Sequence, residues 1–164
     1  MSHLEVTHNN AIATLTMNRP EARNALSMEM RSQLCDALHD IETDESVRCV
    51  ILKGAGEHFM AGGDVKGMGE TVKQSPREIR KQFMLRIHDL HTIMFAMRRM
   101  PKPIIASCQG AAAGAGVSMA LACDLVIASE DAFFTLAYCK IGTSPDGSSS
   151  FHLPRTVGIK KAME

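Results

Sequence analysis

Three short stretches of this 164-residue chain hold residues whose types and spacing could do chemistry. "MAGGDV" (60–65) and "GAAAGAGVS" (110–118) are turns of small residues, each directly after an apolar run, and the second opens onto a helical pattern. Glycine and alanine there let main-chain N–H groups face outward, where an oxygen can approach closely. A helix N-terminus adds its dipole to any negative charge that develops. Two such turns facing each other would form a two-donor oxyanion hole, in which losing one donor costs on the order of a hundredfold in rate. Tight strand-to-helix packing also requires small residues, so spacing alone leaves both readings open. A dinucleotide loop fits poorly, because the glycines do not make G-x-G-x-x-G and no acidic residue follows at ribose distance. The third stretch is "IGTSPDGSSS" (141–150). Pro145-Asp146-Gly147 is ordinary turn chemistry, and Asp146 is also a carboxylate that could move a proton if the rest of the chain places a substrate beside it.

The elements that must position these stretches are legible from periodicity. Residues 11–18 alternate as a strand, and Ser27 reads as the N-cap of an amphipathic helix with Met30, Leu34, Leu38 and Ile41 on one face. Residues 47–54 form a β-branched run closed by glycine, the mark of a buried strand. Ser75-Pro76-Arg77-Glu78 is a capping box with proline at the first helical position. It opens a long helix predicted to carry Ile79, Phe83, Ile87, Leu90, Met94 and Met97 as its apolar stripe. Residues 103–110, "LVIAS" and "FFTLAY" read as further strands, and 66–75 as an exposed linker or mobile loop. Strands alternating with helices predict an α/β domain over 1–164 with a largely parallel sheet. The closing "VGIKKAME" reads as the opening turns of another helix, as if a C-terminal region were missing.

Composition narrows the function classes. Lys plus Arg and Asp plus Glu number 18 each, so the formal charge is zero, which argues against a nucleic-acid surface. The five cysteines fall in apolar stretches with no C-x-x-C, the pattern of reduced core thiols and not of a zinc site. The N-terminus lacks a signal-peptide layout, and no apolar run is long enough to span a bilayer. The expectation is a cytoplasmic protein with no metal.

"NRPEARNAL" (18–26), "FMAGGDVKGM" (59–68), "PKPIIASCQGAAAGAG" (101–116), "ACDLVIASEDAFF" (122–134) and "LPRTVGIKKAME" (153–164) together resemble the crotonase, or enoyl-CoA hydratase/isomerase, superfamily. The resemblance runs nearly end to end and implies the ββα spiral shared by crotonase and the Clp-type proteases, here as an N-terminal core without the C-terminal trimerisation helices. It implies an acyl-CoA thioester as ligand, with coenzyme A arriving as part of the substrate and no other cofactor. A homotrimer or dimer of trimers would be the assembly. The oxyanion-hole amides would be those of Gly63 and Ala115. Coenzyme A would contact Arg23, Ala25, Ala61, Gly62, Asp64, Val65 and Lys66.

The departures from the family pattern carry information. The two hydratase glutamates align with Ser118 and Tyr138, so both carboxylates of ordinary water addition are absent. Asp146 occupies the position of an essential aspartate in the dienoyl-CoA and epoxyphenylacetyl-CoA isomerases of the family. The expected reaction is therefore a double-bond shift through an enolate, with Asp146 moving the proton and Tyr138 and Ser118 shaping the site. Other readings stand beside it. One is an aryl-CoA dehalogenase with Asp146 as nucleophile and His91 as helper, although such enzymes have tryptophan at the Tyr138 position and this chain has none. The others are a hydratase using non-standard residues, a serine hydrolase built on Ser118, and a non-catalytic acyl-CoA binder.

Overall fold

The computed structural model describes residues 2–164, apart from the side chain of Glu70. Two sheets and their covering helices repeat one pattern. Strand β1 (Leu4–Asn9) pairs antiparallel with β2 (Ile12–Met17) through Asn10 and Ala11, both at positive φ, as a tight hairpin turn demands. Strands β3 (Cys49–Gly54), β4 (Ile104–Cys108) and β6 (Leu125–Ala128) extend the sheet in parallel, in the order β1-β2-β3-β4-β6. In a second, smaller sheet β5 (Ala111–Ala113) pairs in parallel with β7 (Phe133–Thr135). Single parallel bridges, Met60 with Ala112 and Leu26 with Gly63, carry that layer further.

Each turn of the chain lays one strand in the large sheet, one short piece in the small one, and then a helix. β2 and Leu26 lead to α1 (Met28–Thr43), and β3 with residues 60–63 leads to α2 (Val65–Thr71) and α3 (Pro76–Arg99). β4 and β5 lead to α4 (Ala115–Ala122), and β6 and β7 to a 3-10 turn (Tyr138–Ile141) followed by α5 (Ser149–Val157) and α6 (Ile159–Met163). This is the ββα spiral that the resemblance implied.

The predicted caps form. Ser27 Oγ accepts the Met30 N–H at 3.1 Å, and α1 buries the four expected apolar residues. Ser75 Oγ accepts the Glu78 N–H at 3.3 Å at the start of α3. Three expectations need correction. Residues 66–75 are not a linker: 65–71 are helical, because the Asp64 carboxylate accepts the Gly67 N–H at 3.1 Å and starts the turn. "FFTLAY" keeps strand geometry only to Thr135, since Ala137 takes φ 55° and turns the chain inward, carrying Tyr138 into the interior. The α3 stripe also divides. Leu90, Ile93, Met94 and Met97 are core, while Ile87 is exposed and Phe83 only half-buried. A helix of 24 residues is about 36 Å long, nearly twice the length of the strands it crosses, so its first half projects beyond the sheet.

Candidate active site

The two small-residue turns are pressed together. A side chain on Gly62, whose φ is +95°, would place Cβ 2.8 Å from Ala113 O and 3.5 Å from Ala115 N, and one on Gly116 would lie 2.4 Å from Met60 O. Only glycine permits this approach. The loop before α1 holds the first turn in place. Ala61 N–H donates to Arg23 O at 2.9 Å, and Leu26 N–H to Gly62 O at 2.8 Å. The fully buried Asn24 side chain in turn donates to Ala55 O and His58 O and accepts the Arg19 N–H. Ala115 is the first residue of α4, so its N–H has no intrahelical acceptor, and no acceptor among the described residues takes the Gly63 N–H. Both amides line one cavity of about 570 Å³.

Asp146 lines the same cavity, and its loop is clamped. Its main-chain carbonyl accepts from Ser118 Oγ at 3.0 Å, Ser149 Oγ at 3.0 Å and the Ser149 N–H at 3.2 Å. Gly147, at φ +56°, has no room for a Cβ, which would fall 2.9 Å from Ser118 Cβ and 3.3 Å from Leu90. Tyr138 Oη donates to Asp146 Oδ1 at 2.8 Å and lies 3.3 Å from Ser118 Oγ. Burial pushes the Tyr138 phenol up to about 12; the Ser118 hydrogen bond opposes the rise and the Asp146 carboxylate adds to it. Near neutral pH Tyr138 is therefore a donor that orients the carboxylate, and not a base.

Of the residues expected at the site, Ala61, Gly62, Gly63, Val65, Ala115, Tyr138 and Asp146 come together around the cavity. Ser118 stands behind it, fully buried, with hydroxyl partners Gly114 O, Tyr138 Oη and Asp146 O and no imidazole among them. Asp64 pairs with Arg19 at 3.3 Å and caps α2. Partial burial pushes its carboxyl up, but the Gly67 N–H and Arg19 outweigh this and hold it below the usual carboxylate range. Arg23 and Lys66 are exposed and, with Ala25, lie outside the cavity lining. His91 is not brought to the site. It is exposed on the outer face of α3, with its ring centroid 6.3 Å from that of Phe95, and its neighbour Leu90 is the side chain that reaches Gly147.

The cavity lining also holds residues that were not anticipated, among them Lys140 and two arginines on facing helices, Arg31 of α1 and Arg86 of α3. Each arginine is a charged residue set among apolar helix positions, beside Met30 and Leu34 in one case and Phe83, Ile87 and Leu90 in the other. That interruption is the sequence signal that could have found them. Burial pushes the Arg31 guanidinium down from its usual value and Arg86 adds to this, while Asp146 and Asp89 act in the opposite direction. Among the described residues no group of three or more His, Cys, Asp or Glu lies together as metal ligands would.

Comparison with known proteins agrees with the fold. The family model for enoyl-CoA hydratase/isomerase matches residues 7–164. A 4-chlorobenzoyl coenzyme A dehalogenase from Arthrobacter is 39% identical over 99% of this chain and 58% of its own length. The 1,2-epoxyphenylacetyl-CoA isomerase of Escherichia coli K12 is 36% identical over 99% of this chain and 60% of its own. Among solved structures, an enoyl-CoA hydratase from Polaromonas superposes with a TM-score of 0.89 at 36% identity, over 98% of this chain and 61% of that one. The chain thus spans about three fifths of the length of these relatives.

Proposed function

This chain belongs to the enoyl-CoA hydratase/isomerase family, and from that premise we infer that it takes an acyl-CoA thioester and shifts a carbon–carbon double bond within the acyl group. The Gly63 and Ala115 amides hold the thioester oxygen. As charge moves onto that oxygen, the C2 hydrogens become acidic, and an enolate forms when a base removes one. Asp146 takes a proton from C2 and delivers a proton, open to exchange with solvent, at C4, so a 3-enoyl thioester becomes its 2-enoyl isomer with no gain or loss of atoms. The observation that carries this reading is the Asp146 carboxylate, fixed by Tyr138 at 2.8 Å in the cavity that both amides line.

Water addition draws little support, since Ser118 and Tyr138 stand where the family's glutamates would be. The first is buried behind the site and the second is a protonated donor. Serine hydrolysis draws none, because Ser118 lacks an imidazole partner. The test is conversion of a 3-enoyl-CoA to its 2-enoyl isomer by the wild-type protein and by Asp146→Asn. A fall of about a hundredfold to ten-thousandfold in kcat, the usual worth of a positioned base, is expected with coenzyme A binding intact. Unchanged turnover would remove Asp146 from the mechanism, and a chain that binds but never turns over would be a binding module.

Dehalogenation is a second reading, favoured by the 39% identity to the Arthrobacter dehalogenase. Asp146 would then attack the ring carbon bearing the halogen, and chloride release from 4-chlorobenzoyl-CoA would reveal it. The outward position of His91 leaves that route without its expected helper. The resemblance implies an assembly of three or six copies, and the apolar side chains exposed on β6 and β7, among them Leu125, Ile127 and Phe133, are surface that a contact between copies would bury. Sedimentation showing only monomers of the full chain would end that part of the proposal.

A further inference from the structure

Arg31 and Arg86 line the cavity, and nothing in the proton chemistry uses them. Arg31 is 4% exposed, and its Nη1 donates to the main-chain oxygen of Arg86 at 2.7 Å. The Nε of each arginine is buried without an acceptor among the described residues. Two guanidinium groups that line one half-enclosed cavity and repel each other would be stabilised by an anion bound between them. Among the described residues no carboxylate bonds either guanidinium. Asp146 and Asp89 attract Arg31 from a distance without bonding it, Asp146 Oδ1 is held by Tyr138, and Asp64, which also feels Arg86, is paired with Arg19.

Resting on the acyl-CoA reading, we propose that Arg31 and Arg86 form a carboxylate-binding subsite at the acyl end of the cavity, so that the thioester this protein takes carries a second acidic group on its acyl chain. The position of Arg31 favours the acyl chain over the coenzyme phosphates, while the Arg86 guanidinium lies beside Gly67 of α2. Arg31 lies within the field of Asp146, the group expected beside C2. Phe83, Ile87 and Met68 line the same cavity and offer an apolar wall for the intervening methylenes. Guanidinium forks match a carboxylate in geometry as well as charge.

The test is calorimetric binding of three probes to the full chain. Glutaryl-CoA carries the acid, 5-methylhexanoyl-CoA replaces the carboxylate with an isopropyl group of the same shape, and coenzyme A alone carries only the phosphates. Glutaryl-CoA is expected to bind about tenfold or more tightly than its neutral counterpart, the scale of one or two charge-assisted hydrogen bonds. Arg86→Gln should erase that preference and leave coenzyme A binding unchanged. Arg86 is only partly buried, so this variant keeps the test usable if Arg31→Gln fails to fold. Equal or tighter binding of the neutral thioester overturns the subsite and leaves the acyl-CoA reading standing. Weakened binding of coenzyme A itself in Arg86→Gln also overturns it, assigning the arginines to the phosphates. Failure of all three probes to bind would remove the acyl-CoA reading together with the subsite.

Discussion

Asp146 is both a turn residue and the carboxylate aimed into the cavity. Its two ends are held separately: the main-chain oxygen by Ser118 and Ser149, the side chain by Tyr138. Ser118 and Tyr138, which the resemblance aligns with the family's glutamates, both bond the aspartate. Tyr138→Phe removes one hydrogen bond to a charged group, worth about 1.5–3 kcal/mol, so kcat for the double-bond shift should fall about tenfold to a hundredfold with KM nearly unchanged. The same phenol gives a pH signature. The unfolded chain releases this proton near pH 10, while the folded protein keeps it to about 12. The phenol's contribution to stability is thus complete below pH 10 and is lost as pH rises toward 12. About 2–3 kcal/mol should disappear across that window. Denaturant titrations of wild type and Tyr138→Phe at pH 9 and 11.5 would read it as a steeper loss in the wild type.

The elements show what a sequence can and cannot declare. The buried parallel strands and both capped helices were legible because their signals are local: β-branched runs, Ser27, and the Ser75 capping box. β1 was not legible, since only Leu4 of its six residues is buried and an edge strand leaves no alternation to read. β5 and the bridges at Met60 and Leu26 were also hidden, because a strand of three alanines has no pattern apart from the neighbours that pair with it. The glycine turns announced themselves, yet only their contact decides between packing and an oxyanion hole. In this structure they pack together, and the close approach that needs Gly62 also brings the Gly63 and Ala115 amides to one cavity, where the proposed oxyanion hole would lie. Arg31 and Arg86 went unread because only the meeting of two helices brings them to one cavity, and His91 was misplaced because one residue along a helix is a rotation of about 100°. Gly62→Ala would push a methyl into Ala113 O at a φ of +95°. It should cost about 2 kcal/mol or more in denaturant unfolding and abolish turnover. Wild-type stability in that variant would show that the turns can separate.

Across the whole molecule, three of the four turns of the spiral bring residues 61–63, 115, 138 and 146 to one place from segments more than eighty residues apart. The large sheet and α1 supply the rigid body, and the projecting half of α3 forms the wall of the cavity in front of it. Leu125, Ile127 and Phe133 on the strands, with Phe151 and Ile159 on the last helices, remain exposed in the single chain. The central claim is that this frame exists to let Asp146 move a proton beside a polarised thioester. The most direct test is mass spectrometry of a 3-enoyl-CoA incubated in D₂O with wild-type protein and with Asp146→Asn. Deuterium appearing in a 2-enoyl product of unchanged composition, and absent with the variant, is the predicted result. A product that has gained water, or equal deuterium incorporation by Asp146→Asn, would contradict it.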